Sequence, residues 1–283
     1  MLIAEQYLPR FLFDLLVRIG VLVAVILMKE QRRNSQKYWK IVTGRTPSFK
    51  DTLGHFYAFA QNLILKLRVK RNSLPTLKFS TEVDCSDFKT LCESSRPALF
   101  GTFHVGYADM MGCMLNNFDR KVRMLRVQVE NSLDTEILEE SFSNSLEFLW
   151  VNKSENFIFK LKEAFEKGES IAIQCDRIET GSRVGIFQFL GAKRQFPLTI
   201  YYLASIFQFP VAFAFTGPLS PSNKIEITST PVFYPSANRN ETIEMAQAHF
   251  QSTLDLLEAH LKRHPELWFN FSPLNPDDDK GSE

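Results

Sequence analysis

Residues 97–112, PALFGTFHVGYADMMG, constrain the fold more than any other stretch of the chain. A strand-like run from Ala98 to Phe103 enters a turn, with Gly101, Gly106 and Gly112 as punctuation. Short apolar runs bounded by turn signals read as buried strands. The pattern predicts a strand over 98–103, His104 on the turn, and a helix beginning near Gly106 with Asp109 in its first turn. If the whole segment were one helix, His104 and Asp109 would lie about 140° apart around its axis and would not meet. At a strand-to-helix junction they can. A carboxylate is favoured near a helix N-terminus, and from there it reaches back to an imidazole nitrogen. That contact fixes the tautomer and leaves the other nitrogen free to take a proton from a hydroxyl. A satisfied, half-buried histidine at a strand end fits the same spacing, so the pattern alone leaves both readings open.

The same strand-to-turn arrangement recurs at residues 170–177, where Ser170 to Ile173 reads as a strand running into Gln174, Cys175, Asp176 and Arg177. Polar residues just past the carboxyl ends of strands are where open α/β sheets bind ligands. Asp176 and Arg177 are therefore candidates to position a substrate hydroxyl or phosphate, or else an ordinary surface ion pair. Elsewhere the spacing predicts helices over 48–70, 134–144, 155–167, 199–206 and 241–262. Strands are expected over 77–83, 121–129, 148–151 and 211–215, with an edge or antiparallel strand over 224–233. Residues 181–197 read as a hairpin whose Arg183, Lys193 and Arg194 lie among aromatic side chains. This alternation predicts an α/β fold: a mixed, largely parallel central sheet flanked by helices. It divides the chain into a helical region over 1–75, an α/β domain over 76–274 and a polar tail over 275–283.

Residues 8–28, LPRFLFDLLVRIGVLVAVILM, form the most apolar run, and Lys29, Arg32, Arg33, Lys37 and Lys40 follow it. A spanning helix needs about 20 mostly apolar residues. Arg10, Asp14 and Arg18 interrupt this run, and Asp14 and Arg18 are spaced to pair on one helical face. The segment therefore suits a helix that lies in a membrane interface, with the basic residues toward an anionic leaflet. A packing helix with a solvated basic flank is the alternative. The net charge of +1 gives no argument for nucleic acid as a partner. Cys85, Cys92, Cys113 and Cys175 show neither metal-ligand spacing nor a disulfide framework, which points to reduced thiols in a cytoplasmic setting, with no metal or cofactor expected. The 26 phenylalanines suit either a deep apolar pocket or an aromatic core.

Taken together, RRNSQKYW (32–39), HFYAFAQ (55–61), GTFHVGYADMMG (101–112), IAIQCDR (171–177), FLGAKRQFP (189–197) and PELWFNF (265–271) resemble the bacterial lipid A late acyltransferases, within the wider His-x4-Asp/Glu acyltransferases. The resemblance implies transfer of a fatty acyl group from an acyl carrier protein or coenzyme A thioester to a hydroxyl of a lipid or glycolipid. It places the protein on the cytoplasmic face of the inner membrane. His104 would be the general base and Asp109 its orienter; Arg126, Asp176 and Arg177 would bind substrate, and no cofactor is required. The lipid A enzymes usually carry Glu where this chain has Asp109, which leaves the acceptor open. Two other classes remain: a thioester or ester hydrolase in which water replaces the acceptor, and a non-catalytic lipid- or carrier-binding protein.

Overall fold

The computed structural model describes residues 8–69, 75–111, 118, 120–126, 146–150, 157–179 and 182–274. Three helices come first: α1 (Arg10–Leu27), α2 (Lys29–Thr43) and α3 (Phe49–Val69). β1 (Thr76–Phe79), α4 (Ser86–Glu93), β2 (Leu99–Thr102), β3 (Val122–Arg126), β4 (Leu146–Trp150), α5 (Phe157–Glu166) and β5 (Ser170–Gln174) follow. A hairpin, β6 (Val184–Phe189) and β7 (Ala192–Pro197), leads to α6 (Thr199–Phe207), β8 (Val211–Leu219), β9 (Lys224–Ser229) and α7 (Arg239–Arg263).

Seven strands form one sheet in the order β1-β9-β8-β2-β5-β3-β4. β8, β2, β5, β3 and β4 run parallel, whereas β9 runs antiparallel to β8 and carries β1 parallel on its outer side. The fold is thus α/β, with a mixed and mostly parallel sheet flanked by helices. The 224–233 segment is not an edge strand: β1 covers it, and the sheet edge falls on β1, where alternate residues are exposed.

The central strands are buried on both faces, as parallel strands covered by helices are. Leu99, Ile171, Ile173, Val211, Phe213 and Phe215 pack on one side with residues of α2, α5, α6 and α7. Phe100, Ala172, Ala212 and Ala214 pack on the other with Phe88, Leu91 and Cys92 of α4. Phe250 of α7 sits among Phe103, Phe187, Phe196, Phe213 and Tyr201 at ring-centroid separations of 5.0–6.4 Å, so much of the phenylalanine content is an aromatic core. Gly101 belongs to this packing, because a Cβ there would lie 2.2 Å from the Phe213 ring.

A third cluster joins α1 and α3. Phe13, Val17, Val21 and Val25, four apart along α1, bury one stripe against Phe56 and Ile64. The guanidinium of Arg18 lies 5.0 Å from the Tyr57 ring centroid. α1 and α2 meet at a 94° bend, and among the described residues no single helix is long and apolar enough to cross a membrane.

Several expectations receive a more exact form. The 155–167 helix ends at Gly168, whose φ of +67° suits the left-handed position after a helix. The 181–197 hairpin turns on Leu190 and Gly191, both at positive φ. Its Arg194 is buried and donates to the Phe189 carbonyl at 3.0 Å, while Arg183 stacks on Tyr202. The 134–144 helix lies outside the described residues, as do 127–129 of the expected 121–129 strand and the 275–283 tail.

Candidate active site

The register of two neighbouring strands builds the site. β2 and β5 pair Gly101 with Ile173 and Thr102 with Gln174, and the Cys175 N–H extends the ladder to the Thr102 carbonyl at 2.8 Å. His104 and Asp176 therefore each lie two residues beyond the same row, at the carboxyl ends of two central parallel strands. The His104 backbone N–H donates to Asp176 Oδ2 at 3.0 Å, and Nδ1–H donates to Oδ1 at 2.7 Å.

A third donor comes from far along the chain. Trp268 Nε1–H reaches Asp176 Oδ2 at 2.8 Å. Residues 265–271 form a strap across the strand ends: Val105 and Trp268 make an antiparallel bridge, Gly106 N–H donates to the Leu267 carbonyl, and Phe269 N–H donates to the His104 carbonyl, both at 2.7 Å. The turn beneath the strap requires glycine at 106. Its φ is +57°, and a Cβ would lie 2.5 Å from the Thr216 carbonyl oxygen.

The strap is held from behind. His55 of α3, fully buried, donates from Nε2 to the Trp268 carbonyl at 2.8 Å, and its Nδ1 accepts from Ser35 Oγ of α2 at 2.9 Å. Asn34 donates to the Phe271 carbonyl at 2.9 Å, Tyr38 meets the Trp268 indole edge-on, and Phe271 stacks on His55 at 4.5 Å. Burial lowers the His55 pKa to about 4. The ring is therefore neutral, with one nitrogen donating and the other accepting.

The Asp176 side chain is wholly buried, whereas His104 is 20% exposed. Burial alone pushes the Asp176 carboxyl up; the charge and hydrogen bonds of His104 and the indole N–H more than offset this and hold it at about 2. The carboxylate is ionised at neutral pH and keeps the proton of a neutral imidazole on Nδ1. Nε2 is then a bare acceptor, and no described residue hydrogen-bonds to it. A base with a buried orienter at the carboxyl end of a parallel sheet can accept a proton from a hydroxyl or from water.

Of the expected site residues, the structure brings His104 and Asp176 together. Asp176, expected to position substrate, instead orients His104, and both its oxygens are engaged. Asp109, expected as the orienter, lies in a 3-10 turn, Ala108–Met110, that leads directly into helical backbone at Met111; its side chain is outside the described ones. Arg177 is exposed beside Asp176. Arg126 ends β3, with a side chain outside the described ones; its predecessor Leu125 pairs with Ile173, which puts the Arg126 backbone level with the end of β5. Among the described residues no cluster of His, Cys, Asp and Glu could hold a metal ion. Trp268, His55 and Ser35 carry no spacing signal, since they lie 92, 213 and 20 positions from their partners. Their one mark in the sequence is that all three fall inside the blocks PELWFNF, HFYAFAQ and RRNSQKYW. No protein-family model and no curated protein sequence matches the chain.

Proposed function

We propose that this protein is an O-acyltransferase of the lipid A late acyltransferase kind, working at the cytoplasmic face of the bacterial inner membrane. It moves a fatty acyl group from an acyl carrier protein or coenzyme A thioester to a hydroxyl of a lipid or glycolipid. The observation that carries this reading is the imidazole held on Nδ1 by a buried carboxylate, with the partly exposed ring keeping a bare Nε2. His104 Nε2 takes the proton of the acceptor hydroxyl as its oxygen attacks the thioester carbonyl. The C–S bond then breaks, and the departing thiolate takes the proton back from the imidazolium. Asp176 steadies the imidazolium without itself becoming protonated. Arg126 and Arg177 are the cations assigned to substrate, and Asp109 completes the His-x4-Asp pattern.

The helical region supports a membrane setting. Phe11, Leu15, Leu16, Ile19, Ile26 and Leu27 of α1 are all about half exposed or more, an apolar face too large for water contact alone. The test is transfer of labelled acyl groups from acyl carrier protein and from acyl-coenzyme A to a membrane lipid extract. The reading expects a labelled lipid from the wild type and none from His104→Ala. Free fatty acid without labelled lipid would make the protein a hydrolase, and no turnover with either donor would leave a binding protein.

A further inference from the structure

Between α1 and α3 lies a groove of about 410 Å³, within the ~300–1,000 Å³ range of ligand sites. It exists because small residues face each other there. Gly20 and Ala24 line it from α1, Ala60 lines it from α3, and Phe271 of the strap forms one wall. A Cβ added at Gly20 would meet nothing within 4 Å. The lining is apolar throughout except for Gln31, at the end where α1 bends into α2.

Two observations identify the occupant. First, past the exposed Arg18, α1 is apolar on every side from Ile19 to Leu27, with Ile19, Leu22 and Ile26 exposed opposite the stripe it buries. A helical stretch apolar all round belongs in an apolar medium, and a groove opening into that medium fills with what the medium supplies. Second, the Gln31 end is cationic. Lys29 and Arg33 are exposed at the start of α2, and Arg32 donates to the Val25 carbonyl across the bend, three cations against the one exposed carboxylate of Glu30. Cations at one end of an apolar slot complement a molecule with a long alkyl tail and an anionic head.

We infer that the α1–α3 groove takes one acyl chain of an anionic membrane lipid, whose headgroup lies against Lys29, Arg32 and Arg33 at the start of α2. The inference does not rest on acyl transfer, because occupancy is read without turnover. It does place the lipid next to the site: Phe271 also stacks on His55, and Phe59, another groove wall, packs at 5.4 Å from Phe269, whose N–H bonds His104.

The experiment uses the full chain and phosphatidylglycerol vesicles carrying a diazirine in the acyl chain, with phosphatidylcholine vesicles of the same label in parallel. Irradiation and peptide mapping locate the adducts. The expected result is labelling of the α3 peptide at Phe59, Ala60 or Leu63 from phosphatidylglycerol, falling about tenfold in Gly20→Leu, which overfills the slot. Ala60→Leu, on the opposite wall, gives the same readout if Gly20→Leu does not fold, and Gly20→Ala is the control expected to leave labelling intact. Adducts confined to Phe11, Leu15 and Ile19, or α3 adducts indifferent to both leucine variants, would overturn the groove assignment. Equal labelling from phosphatidylcholine would overturn the anionic headgroup. A dimer in solution together with no α3 adducts would assign the groove to a second copy. Loss of acyl transfer with groove labelling intact would refute the proposed activity alone.

Discussion

Trp268 Nε1–H and the His104 backbone N–H converge on the same oxygen of Asp176, at 2.8 and 3.0 Å. The carboxylate is thereby pinned so that its other oxygen faces Nδ1. One residue of the strap thus sets the orientation of a pair contributed by two strands.

Trp268→Phe keeps most of the buried ring and removes this donor. A hydrogen bond to a charged group contributes about 1.5–3 kcal/mol, so the variant should lose stability of that order and its Asp176 carboxyl should titrate higher than about 2. The native carboxyl is depressed from 3.8, so its stabilisation is full above that pH and is lost as pH falls toward 2. Carbon-13 titration of Asp176 in both proteins checks the direction; an unmoved carboxyl would mean that the indole does not hold it.

Asp176→Asn should cost the proposed transfer about 10²–10⁴-fold, because an amide neither fixes the Nδ1 proton nor stabilises the imidazolium. Asp109→Asn in the same assay separates the two carboxylates. If Asp176 alone orients His104, only its substitution should cost that factor, and only it should remove the Nδ1–H···carboxylate proton signal read by NMR.

Acid should weaken the fold well before the carboxylates titrate. His55 and His260 are both lowered from 6.5 to about 4, first by burial, so the unfolded chain binds more protons than the native one between those values. Stability is then full above pH 6.5 and declines as pH falls from 6.5 to 4, by at most about 1.4 kcal/mol per pH unit for each ring. Thermal melts at pH 7.5, 6 and 5 should show the decline, and His55→Gln should shallow it.

Gly106→Ala should destabilise by more than about 1 kcal/mol, since the new Cβ meets a backbone carbonyl at a positive φ. Gly101→Ala should cost about 1–3 kcal/mol by overpacking, and Phe213→Leu should recover part of that loss because it frees the ring's space. Denaturant midpoints of the singles and the double measure both.

What could be read from the sequence was whatever local pattern encodes. The strand before His104, the strand before Asp176 and the long helices carry their own periodicity, and from them the α/β sheet follows. The pairing of His104 with Asp176 was not legible, because it depends on the register of two strands far apart in sequence. Spacing pointed to the nearer carboxylate, Asp109, instead. The segment after Gly106 read as a helix from its first residue, whereas the strap takes up the Gly106 N–H and a 3-10 turn, Ala108–Met110, comes before the helical backbone at Met111. His55 looked like one member of a helical segment; its burial and its bond to the Trp268 carbonyl belong to tertiary packing, which no window of sequence contains.

Residues 265–271 come after all nine strands of the described residues in chain order. During synthesis the sheet can be complete and the imidazole in position while Asp176 still lacks its indole donor and His104 its carbonyl contact. Leu267 and Trp268 are also buried in the central core, so the same segment that fastens His104 and Asp176 completes the packing beneath them. The Asp176 carboxylate thus gains its full set of donors only when a segment from outside the sheet closes over the strand ends.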